Sequence, residues 1–316
     1  MREITETLRT PDGFPLQVRQ WRPEGTPRAL VQILHGLAEH CARYGRLAGA
    51  LVAAGYAVVT HDHRGHGLSV RDEDDRGHFA DEDGFGVALA DVELVLAHAL
   101  GDLPDLPVVL LGHSMGSTIA LLALQDRSEA YAAAVLSGPT GEVPGLLRRA
   151  AFLLTKLERL RLGRRGRSRL LHALSFGDFN KAFAPTRTEF DWLSRDPDEV
   201  DKYANDPHCG FIVTTQHWHD HLAALGRMAD GARLARIRPG LPILVIAGAL
   251  DPVSKATSQI GAVLARLGAG GRDLGHTFYP DARHELFNEV NRDEVTSDVI
   301  AWLDAHLPGA TAPAHG

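Results

Sequence analysis

Cysteine is scarce in this chain. Only Cys41 and Cys209 occur among its 316 residues, and neither belongs to a C-x-x-C pair. A disulfide framework or a cysteine-based zinc site needs more cysteines at closer spacing. We therefore expect two isolated thiols.

Long apolar segments are also absent. The first residues, MREITETLRTPDGF, are polar and lack the apolar region of a signal peptide. No apolar run approaches the roughly 20 residues that a transmembrane helix requires. These absences predict a soluble cytoplasmic protein.

An excess of positive charge is missing as well. The formal net charge is −7, so the molecule as a whole is not expected to bind nucleic acid. The hydrophobic fraction of 44% is sufficient for a large core. The length could accommodate two domains, but α/β folds often continue for longer as one, and we expect one catalytic domain with an insertion.

Strand-like and helix-like segments alternate along most of the chain. Residues 3–9 and 15–21 alternate apolar and polar side chains around Pro11-Asp12-Gly13, which predicts a hairpin. Further strands are expected at 29–34, 56–60, 107–111, 132–136, 241–247 and 273–279, and helices at 43–54, 84–100, 114–125, 254–267 and 291–306. Such alternation predicts a parallel sheet with helices on both faces.

One long segment interrupts this alternation. Residues 142–236 show helical periodicity but no convincing strand, and we expect them to form a helical lid. The lid would be inserted between two parts of the catalytic core, at 1–141 and 237–307. The tail at 308–316 consists mostly of small residues and proline, and is expected to be disordered.

A G-x-S-x-G motif, Gly112-His113-Ser114-Met115-Gly116, lies between a predicted strand and a predicted helix. In a nucleophile elbow the serine occupies a strained strand-to-helix turn, and the flanking glycines permit close backbone approach. The N-terminus of the following helix favours negative charge that develops at the site. The motif and its context predict that Ser114 is a catalytic nucleophile.

The chain resembles the monoacylglycerol lipase and lysophospholipase group of α/β-hydrolases, a group often described as serine aminopeptidase-like. The most specific matches are His35-Gly36 with Glu39-His40, Asp62 to Gly67, and Gly112 to Gly116. The resemblance covers nearly the whole chain outside the lid. It implies an α/β-hydrolase fold, with a mostly parallel eight-stranded sheet flanked by helices and an inserted helical lid. Ser117 departs from the usual glycine, with little expected consequence because serine is small.

The acid and the base of a catalytic triad follow the nucleophile along the chain in this fold. Asp251 comes directly after the predicted strand LPILVIA, and His284 lies in the loop after the last strand. His284 is expected to accept the proton of Ser114 and to pass it to the leaving group. Asp251 is expected to orient the imidazole and to stabilise the imidazolium.

Each of these two assignments has alternatives. Asp251 could cap a helix that begins at Pro252, a residue well suited to the first helical position. His276 and Asp281 are weaker competitors, since His276 falls within a strand pattern and Asp281 shares the loop of the proposed base.

Acyl transfer also needs backbone N–H groups directed at the tetrahedral oxyanion. One is expected from Met115, the residue after the nucleophile, and the other from the loop after the strand near His35. The family resemblance assigns the second to Leu37; an ordinary tight turn at Gly36 is the alternative. His35, Gly36 and His113 are expected to support the loop and not to transfer protons.

Two histidine-rich segments contain plausible metal ligands. The segment 61–66 offers Asp62 and three histidines, but it resembles a structural loop of the family, so hydrogen bonds are expected in place of a metal. His217 and His221 share one helix face without a clear third ligand, and they are expected at the polar rim of an acyl pocket. No metal and no other cofactor is predicted.

The segment 145–170 combines basic and apolar residues. It contains nine Arg or Lys residues and one Glu, which gives a local charge of about +8 within a chain of net charge −7. A basic amphipathic lid can make transient contact with an anionic membrane surface or attract substrates with phosphate heads. A solvated basic face is the alternative.

The expected reaction is hydrolysis of a small acyl ester through an acyl-enzyme, with monoacylglycerols, lysophospholipids and short carboxylic esters as open substrate classes. A proline iminopeptidase-like aminopeptidase is the alternative enzyme, and it would need an anionic subsite for a free amine. The lid offers carboxylates that are expected to be solvated, at Glu189, Asp191, Asp196, Asp198 and Glu199. A non-catalytic ligand-binding protein could dispense with triad residues, whereas all three are present here.

Overall fold

The computed structural model describes residues 2–101, 103, 105–141, 143–255 and 257–307. The tail at 308–316, predicted to be disordered, lies outside these described residues. The strands are β1 (Arg2–Arg9), β2 (Pro15–Arg22), β3 (Leu30–Leu34), β4 (Ala57–His61), β5 (Val108–His113), β6 (Ala133–Ser137), β7 (Pro242–Gly248) and β8 (Asp273–Tyr279). They form one eight-stranded sheet in the order β1-β2-β4-β3-β5-β6-β7-β8.

The sheet is mostly parallel. Strand β2 runs antiparallel to both β1 and β4, and all the other neighbouring strands are parallel. The carboxyl ends of the parallel strands therefore share one edge, where the loops that follow β3, β5, β7 and β8 come together. The predicted fold class, including the strand number, is confirmed.

The helices are α1 (Gly45–Ala53), α2 (Gly84–Leu100), α3 (Met115–Arg127), α4 (Gly145–Leu162), α5 (Arg169–Phe176), α6 (Pro197–Asn205), α7 (Thr215–Met228), α8 (Gly231–Leu234), α9 (Ile260–Gly268) and α10 (Arg292–His306). None of the described helices is both long enough and apolar enough to cross a membrane.

Two apolar layers enclose the sheet. Strand β5 is buried along its whole length, and its alternating side chains face opposite layers. Val109 and Leu111 belong to the layer that contains α1 and α10, whereas Leu110 belongs to the layer that contains α2, α3 and α9. Burial on both faces explains why the central strands are apolar without polar alternation.

Most element boundaries agree with the sequence prediction, with one clear exception. The helix predicted at 254–267 begins only at Ile260, after a series of turns. Lys255 and Thr257 have φ angles of 48° and 68°, which are incompatible with a right-handed helix. The helical periodicity of the sequence therefore includes residues before Ile260 that form turns in the structure.

Helices α4 to α8 lie between β6 and β7 and form a helical insertion, defined here as residues 145–234. The described part of this segment contributes no strand to the sheet. Helix α7 packs against both α3 and α2, and Ala224, Leu225 and Met228 join the apolar layer of the core. The insertion is therefore fixed to the core along one of its helices.

Candidate active site

Ser114 lies in a sharp turn between β5 and α3. Its φ and ψ angles are 54° and −117°, an unfavourable conformation for a residue with a side chain. The Ser114 N–H donates to the Ser137 carbonyl at 2.9 Å, which ties the turn to β6. A Cβ atom at Gly116 would lie only 2.1 Å from the Leu34 carbonyl oxygen, so only glycine permits this approach of α3 to β3.

The other small residues of the turn are also closely packed. A Cβ atom at Gly112 would lie 2.4 Å from the Gly116 carbonyl oxygen. The Ser117 hydroxyl, present where the resembling family has glycine, donates to the Gly112 carbonyl at 2.6 Å. Ser117 therefore fits the turn and adds a hydrogen bond within it.

His284 and Asp251 form a buried pair. The Nδ1 atom of His284 lies 3.0 Å from Asp251 Oδ2, and the side chains are 3% and 0% exposed. Asp251 Oδ1 accepts the Val253 N–H at 2.8 Å, which holds the carboxylate in place. Because α9 begins only at Ile260, Asp251 is not the cap of a helix that starts at Pro252.

The charges around His284 favour its protonated form. Burial alone would lower its pKa, but the Asp251 carboxylate, its hydrogen bond, and the nearby Glu285 and Glu39 raise the pKa above its ordinary value. An imidazole with these neighbours can accept a proton from a serine and stabilise the resulting positive charge.

Ser114 and His284 line the same cavity, and other buried groups surround the imidazole. The His113 and Trp192 rings lie with centroids 4.8 Å and 5.2 Å from that of His284. Burial, together with the charge of His284, lowers the pKa of His113 to about 4, so His113 is uncharged at neutral pH. The competitors His276 and Asp281 are both exposed on the protein surface.

The loop after β3 also approaches Ser114 closely. A Cβ atom at Gly36 would lie 3.3 Å from Ser114 Cβ. The Gly36 N–H is already used, since it donates to Glu39 Oε1 at 2.5 Å. Leu37 and Met115 both line the cavity beside Ser114, and their N–H groups remain as candidate donors to an oxyanion.

Sequence reasoning assigned no role to an ion-pair network behind this loop. The Arg43 guanidinium contacts Glu39 Oε2 at 2.6 Å and both carboxylate oxygens of Glu285 at 2.6 Å. The Tyr44 hydroxyl donates to Glu39 Oε1 at 2.8 Å. The spacing of Glu39 and Arg43, four residues apart, was a signal for their contact, but nothing local indicated Glu285.

Comparison with known proteins decides the family. Residues 25–291 match the family described as "Serine aminopeptidase, S33". The chain belongs to this S33 family of α/β-hydrolases.

Individual relatives of this S33 hydrolase are named as lipases or esterases. The human monoglyceride lipase is 32% identical over 96% of this chain and 90% of its own length. The Mycolicibacterium smegmatis monoacylglycerol lipase is 30% identical over 91% of this chain and 92% of its own. A carboxyl esterase structure from Bacillus coagulans superposes with a TM-score of 0.89 at 26% identity, over 97% of this chain and 99% of that one. The chain is a serine ester hydrolase of the monoglyceride lipase and lysophospholipase type.

The histidine-rich segment 61–66 lies against the loop that follows β3, residues 35–40, which is called the oxyanion-side loop below. His35 Nε2 accepts the His63 N–H at 2.9 Å, and His35 Nδ1 lies 2.8 Å from the Gly36 carbonyl. Asp62 accepts the backbone N–H groups of Cys41 and Leu68, both at 2.8 Å. These bonds fix the loop against β4.

The expectation of hydrogen bonds is wrong for two side chains of this segment. The ring nitrogens of His61 and His63 have no hydrogen-bond partner among the described residues. Instead the His63 ring packs against those of His35 and His61, with centroids 4.2 Å and 4.8 Å apart. Burial lowers the pKa of both histidines, so they pack as neutral rings.

The two helix-face histidines occupy different surroundings. His217 is buried, with its ring centroid 4.6 Å from Phe79, and does not line the cavity. His221 lines the cavity and lies 5.3 Å from Phe85. The predicted polar rim is therefore wrong for His217, which belongs to an aromatic cluster.

The cavity above Ser114 is large and mainly apolar. Its volume is about 840 Å³, within the range of roughly 300–1,000 Å³ usual for ligand pockets. The apolar walls include Leu147, Ala151, Leu154, Leu171, Phe176, Trp192, Trp218 and Leu225. Most of these residues belong to the helical insertion, so the insertion supplies the walls and the core supplies the reactive groups.

Acidic side chains of the insertion differ in their surroundings. Glu189 is exposed and lines the cavity. Glu199, expected to be solvated, is instead buried and contacts Arg46 and Lys202 at 3.0 Å and 2.7 Å. Asp191 and Asp196 accept backbone N–H groups within the insertion.

Part of the basic segment is neutralised by the core and the insertion itself. Three of its arginines form ion pairs: Arg161 with Glu158, Arg164 with Glu82, and Arg165 with Asp75. The exposed face of α4 also carries leucines, at Leu146, Leu153, Leu157 and Leu160. These four leucines, spaced along one face of the helix, are called the leucine stripe below.

Proposed function

We propose that this S33 hydrolase cleaves lipid esters with a single acyl chain, such as monoacylglycerols, with Ser114, His284 and Asp251 as its triad. One observation carries the proposal. The strained elbow serine and the Asp251-paired imidazole of His284 open together into one apolar cavity of about 840 Å³. Monoacylglycerol is the substrate class named for the human and mycobacterial relatives.

The proposed reaction begins with proton transfer from the Ser114 hydroxyl to His284. Ser114 Oγ attacks the ester carbonyl and forms a tetrahedral intermediate, whose oxyanion accepts hydrogen bonds from the N–H groups of Leu37 and Met115. His284 then donates its proton to the leaving alcohol, which leaves an acyl-enzyme. A water molecule gives one proton to His284 and attacks the acyl-enzyme, and His284 returns that proton to Ser114 Oγ as the fatty acid leaves.

The helical insertion acts as the lid in this proposal, within the predicted segment 142–236. Helices α4, α5 and α7 contribute side chains to the cavity walls. Excluding water around the acyl chain strengthens the hydrogen bonds to the oxyanion and buries apolar surface of the substrate.

The charges near the nucleophile favour an ester over a peptide with a free amine. An aminopeptidase needs a carboxylate that is available for the substrate ammonium. Glu39 and Glu285 both line the cavity, but Arg43 already pairs with each of them. Glu189 is exposed, where water screens its charge.

A substrate series tests this proposal. We expect kcat/KM to rise from acetyl through butyryl to octanoyl p-nitrophenyl esters. Burial of three of the six methylenes that separate acetyl from octanoyl contributes about 2.4 kcal/mol, or about fifty-fold in kcat/KM. A 1-monoacylglycerol should be hydrolysed and prolyl-naphthylamide should be a poor substrate. Faster cleavage of the prolyl amide than of every ester would overturn the proposal.

Two variants on opposite faces of α4 sharpen the test. Ala151→Phe places a ring in the cavity, and an overpacking cost of about 1–3 kcal/mol should reduce octanoyl turnover by about ten-fold or more relative to acetyl turnover. Leu153→Phe enlarges an exposed side chain on the same helix and should leave the ratio unchanged. Equal ratios of octanoyl to acetyl turnover in the two variants would mean that the acyl chain does not bind beside Ala151.

We further propose that the leucine stripe contacts an anionic lipid surface. Leu146 and Leu160 are 83% and 84% exposed, and Lys156 and Arg149 lie on the same helix. Basic residues beside an exposed apolar helix face are typical of helices that lie in a membrane interface. Another face of α4 forms part of the cavity wall, so the cavity would then receive substrate directly from the lipid.

Vesicle sedimentation tests this contact. Leu153→Gln combined with Leu157→Gln should weaken binding to phosphatidylglycerol vesicles by at least about ten-fold, since each buried leucine contributes about 1.5–3 kcal/mol. Leu68→Gln removes a leucine of similar exposure outside α4 and should have no effect. Equal vesicle binding by wild type and the double variant would contradict the contact.

A further inference from the structure

Three different metal-ligand atoms converge beside the oxyanion-side loop. His40, Asp206 and Cys209 each offer one nitrogen, oxygen or sulfur atom, and these atoms all lie within 4.8 Å of one another. His40 belongs to the loop after β3, whereas Asp206 and Cys209 follow α6 in the helical insertion. The cluster therefore joins the core to the insertion.

Local hydrogen bonds orient the members of this cluster. Asp206 Oδ2 lies 2.9 Å from His40 Nε2, and Asp206 Oδ1 accepts the His208 N–H at 2.8 Å. The Cys209 N–H donates to the Asp206 carbonyl at 3.0 Å, which closes a tight turn. The turn places the carboxylate and the thiol on one side, facing His40.

Neither cysteine is used in a disulfide. Cys41 and Cys209 are both free thiols, and Cys41 is buried. His208 precedes Cys209 in this turn, and its ring centroid lies 6.0 Å from that of His40. Its Nδ1 atom is buried and has no hydrogen-bond partner among the described residues.

We propose that His40, Asp206 and Cys209 form a binding site for Zn²⁺, with a water molecule or His208 as the fourth ligand. A mixed nitrogen, oxygen and sulfur set favours Zn²⁺, because Ca²⁺ and Mg²⁺ select oxygen ligands. Ligand bonds of about 2.0–2.3 Å in a tetrahedron separate the ligand atoms by about 3.3–3.8 Å. The nitrogen and oxygen atoms of His40 and Asp206, now 2.9 Å apart, would have to separate by less than about 1 Å to reach that spacing. The sulfur atom of Cys209, which lies within 4.8 Å of both, would have to approach them by no more than about 1.5 Å.

Binding requires one proton to leave the site. Burial raises the pKa of the Cys209 thiol, so it is protonated at neutral pH without an ion. Formation of the Zn–S bond breaks the S–H bond and releases that proton to solvent. The Nε2 proton of His40, which faces Asp206, moves to Nδ1 through solvent, so that Nε2 can bind the ion.

The ion would strengthen an existing contact between the insertion and the oxyanion-side loop. The Tyr203 hydroxyl and the Gly210 N–H both donate to the Ala38 carbonyl at 2.9 Å, next to Leu37 in the sequence. Coordination by residues on both sides would hold this contact closed. Zn²⁺ should therefore slow amide hydrogen exchange across residues 203–210.

Metal titration of the full chain without an affinity tag tests the site. Calorimetry in two buffers of different ionisation enthalpy should detect one tightly bound Zn²⁺ and release of about one proton. Co²⁺ should give a sulfur-to-cobalt charge-transfer band, which the 17 histidines of the chain cannot produce. Absence of the band with wild-type protein would overturn the proposal, even if Zn²⁺ binds elsewhere.

Matched variants identify the ligands. Cys209→Ser should abolish the charge-transfer band and weaken Zn²⁺ binding by more than about 100-fold, the upper range for loss of an outer-shell partner. Asp206→Asn preserves the turn and should also weaken binding. Cys41→Ser removes the other thiol and should leave binding unchanged. Full affinity in both Cys209→Ser and Asp206→Asn would overturn the site.

Discussion

Arg43 forms a two-pronged ion pair with Glu285, the residue that follows the proposed base His284. Both of its contacts to this carboxylate are 2.6 Å long, and a third contact of 2.6 Å reaches Glu39. The side chains of Arg43, Glu285 and Glu39 are 11%, 5% and 4% exposed. One buried guanidinium thus links the loop of the base to the loop of the proposed oxyanion hole.

Removing this guanidinium should destabilise the protein strongly. Arg43→Met leaves the two buried carboxylates of Glu39 and Glu285 without their shared cation, and we expect the free energy of unfolding to fall by about 3–5 kcal/mol. Arg127→Met breaks an exposed ion pair with Glu93 and should cost no more than about 1 kcal/mol. Urea unfolding measures both; equal losses would mean that burial of the network contributes little.

The rate of ester hydrolysis should depend on the neutral form of His284. Its pKa lies above the ordinary 6.5, so kcat/KM should decline as the pH falls through a value higher than 6.5. Hydrolysis of the octanoyl ester from about pH 5 to pH 9 measures this limb of the profile. A decline centred well below pH 6.5 would contradict the assigned base.

Replacing the Asp251 carboxylate should shift the low-pH decline of kcat/KM. Asp251→Asn removes the charge that raises the pKa of His284, so the decline should shift to lower pH while kcat falls by roughly 10²–10⁴. Asp281→Asn changes an exposed carboxylate in the loop that contains His284, and it should alter neither the pH of the decline nor kcat. An unshifted limb in Asp251→Asn would mean that another group orients the imidazole.

Acid should unfold the protein through its buried neutral histidines. Burial lowers the pKa of His61, His66, His113 and His221 from 6.5 to about 4. Between these values the unfolded chain binds more protons than the folded chain, so stability should fall as the pH drops from about 6.5 to about 4. The cost is on the order of 1–3 kcal/mol for each histidine.

One variant isolates the contribution of His61 to the loss of stability in acid. His61→Leu removes a ring whose nitrogens have no hydrogen-bond partner among the described residues, and it should make the loss of stability with acid less steep. His276→Gln changes an exposed histidine and should leave the slope unchanged. The comparison uses urea midpoints at several pH values. If the midpoint falls equally steeply with acid in both variants, His61 does not contribute to the loss of stability.

Gly116 should tolerate no larger residue. A Cβ atom there would lie 2.1 Å from the Leu34 carbonyl oxygen and 2.7 Å from that of His35, so Gly116→Ala must displace α3 from β3. A displacement of the nucleophile near 1 Å can cost about 100-fold in kcat. Gly49→Ala, in α1, meets no atom within 4 Å and should preserve activity. Equal kcat values for the two variants would contradict the close approach.

The positions of the strands along the chain and of the elbow were predictable because their signals are local. Central strands buried on both faces appear as short apolar runs, and the elbow needs small residues at fixed spacing around Ser114. Asp251 and His284 followed from the chain order of the fold. Their 3.0 Å contact agrees with that expectation, although their catalytic roles stay a proposal.

Features that depend on residues distant in the sequence could not be predicted from local patterns. Arg43 and Glu285 are 242 residues apart, and no local pattern relates them. His217 carries a polar side chain on a helix face, yet it is buried against Phe79 because the insertion packs on α2 there. The start of α9 was missed because Lys255 and Thr257 adopt left-handed conformations that their residue types do not reveal.

The central claim is that Ser114 is the nucleophile of an ester hydrolase. Labelling with a fluorescent fluorophosphonate, located by peptide mass spectrometry, tests it together with hydrolysis of the octanoyl ester. Wild type and Ser175→Ala, which alters another cavity serine, should label with one probe per chain. Ser114→Ala should lose both labelling and turnover while retaining its free energy of unfolding in urea within about 1 kcal/mol. Stoichiometric labelling of a folded Ser114→Ala variant would contradict the account.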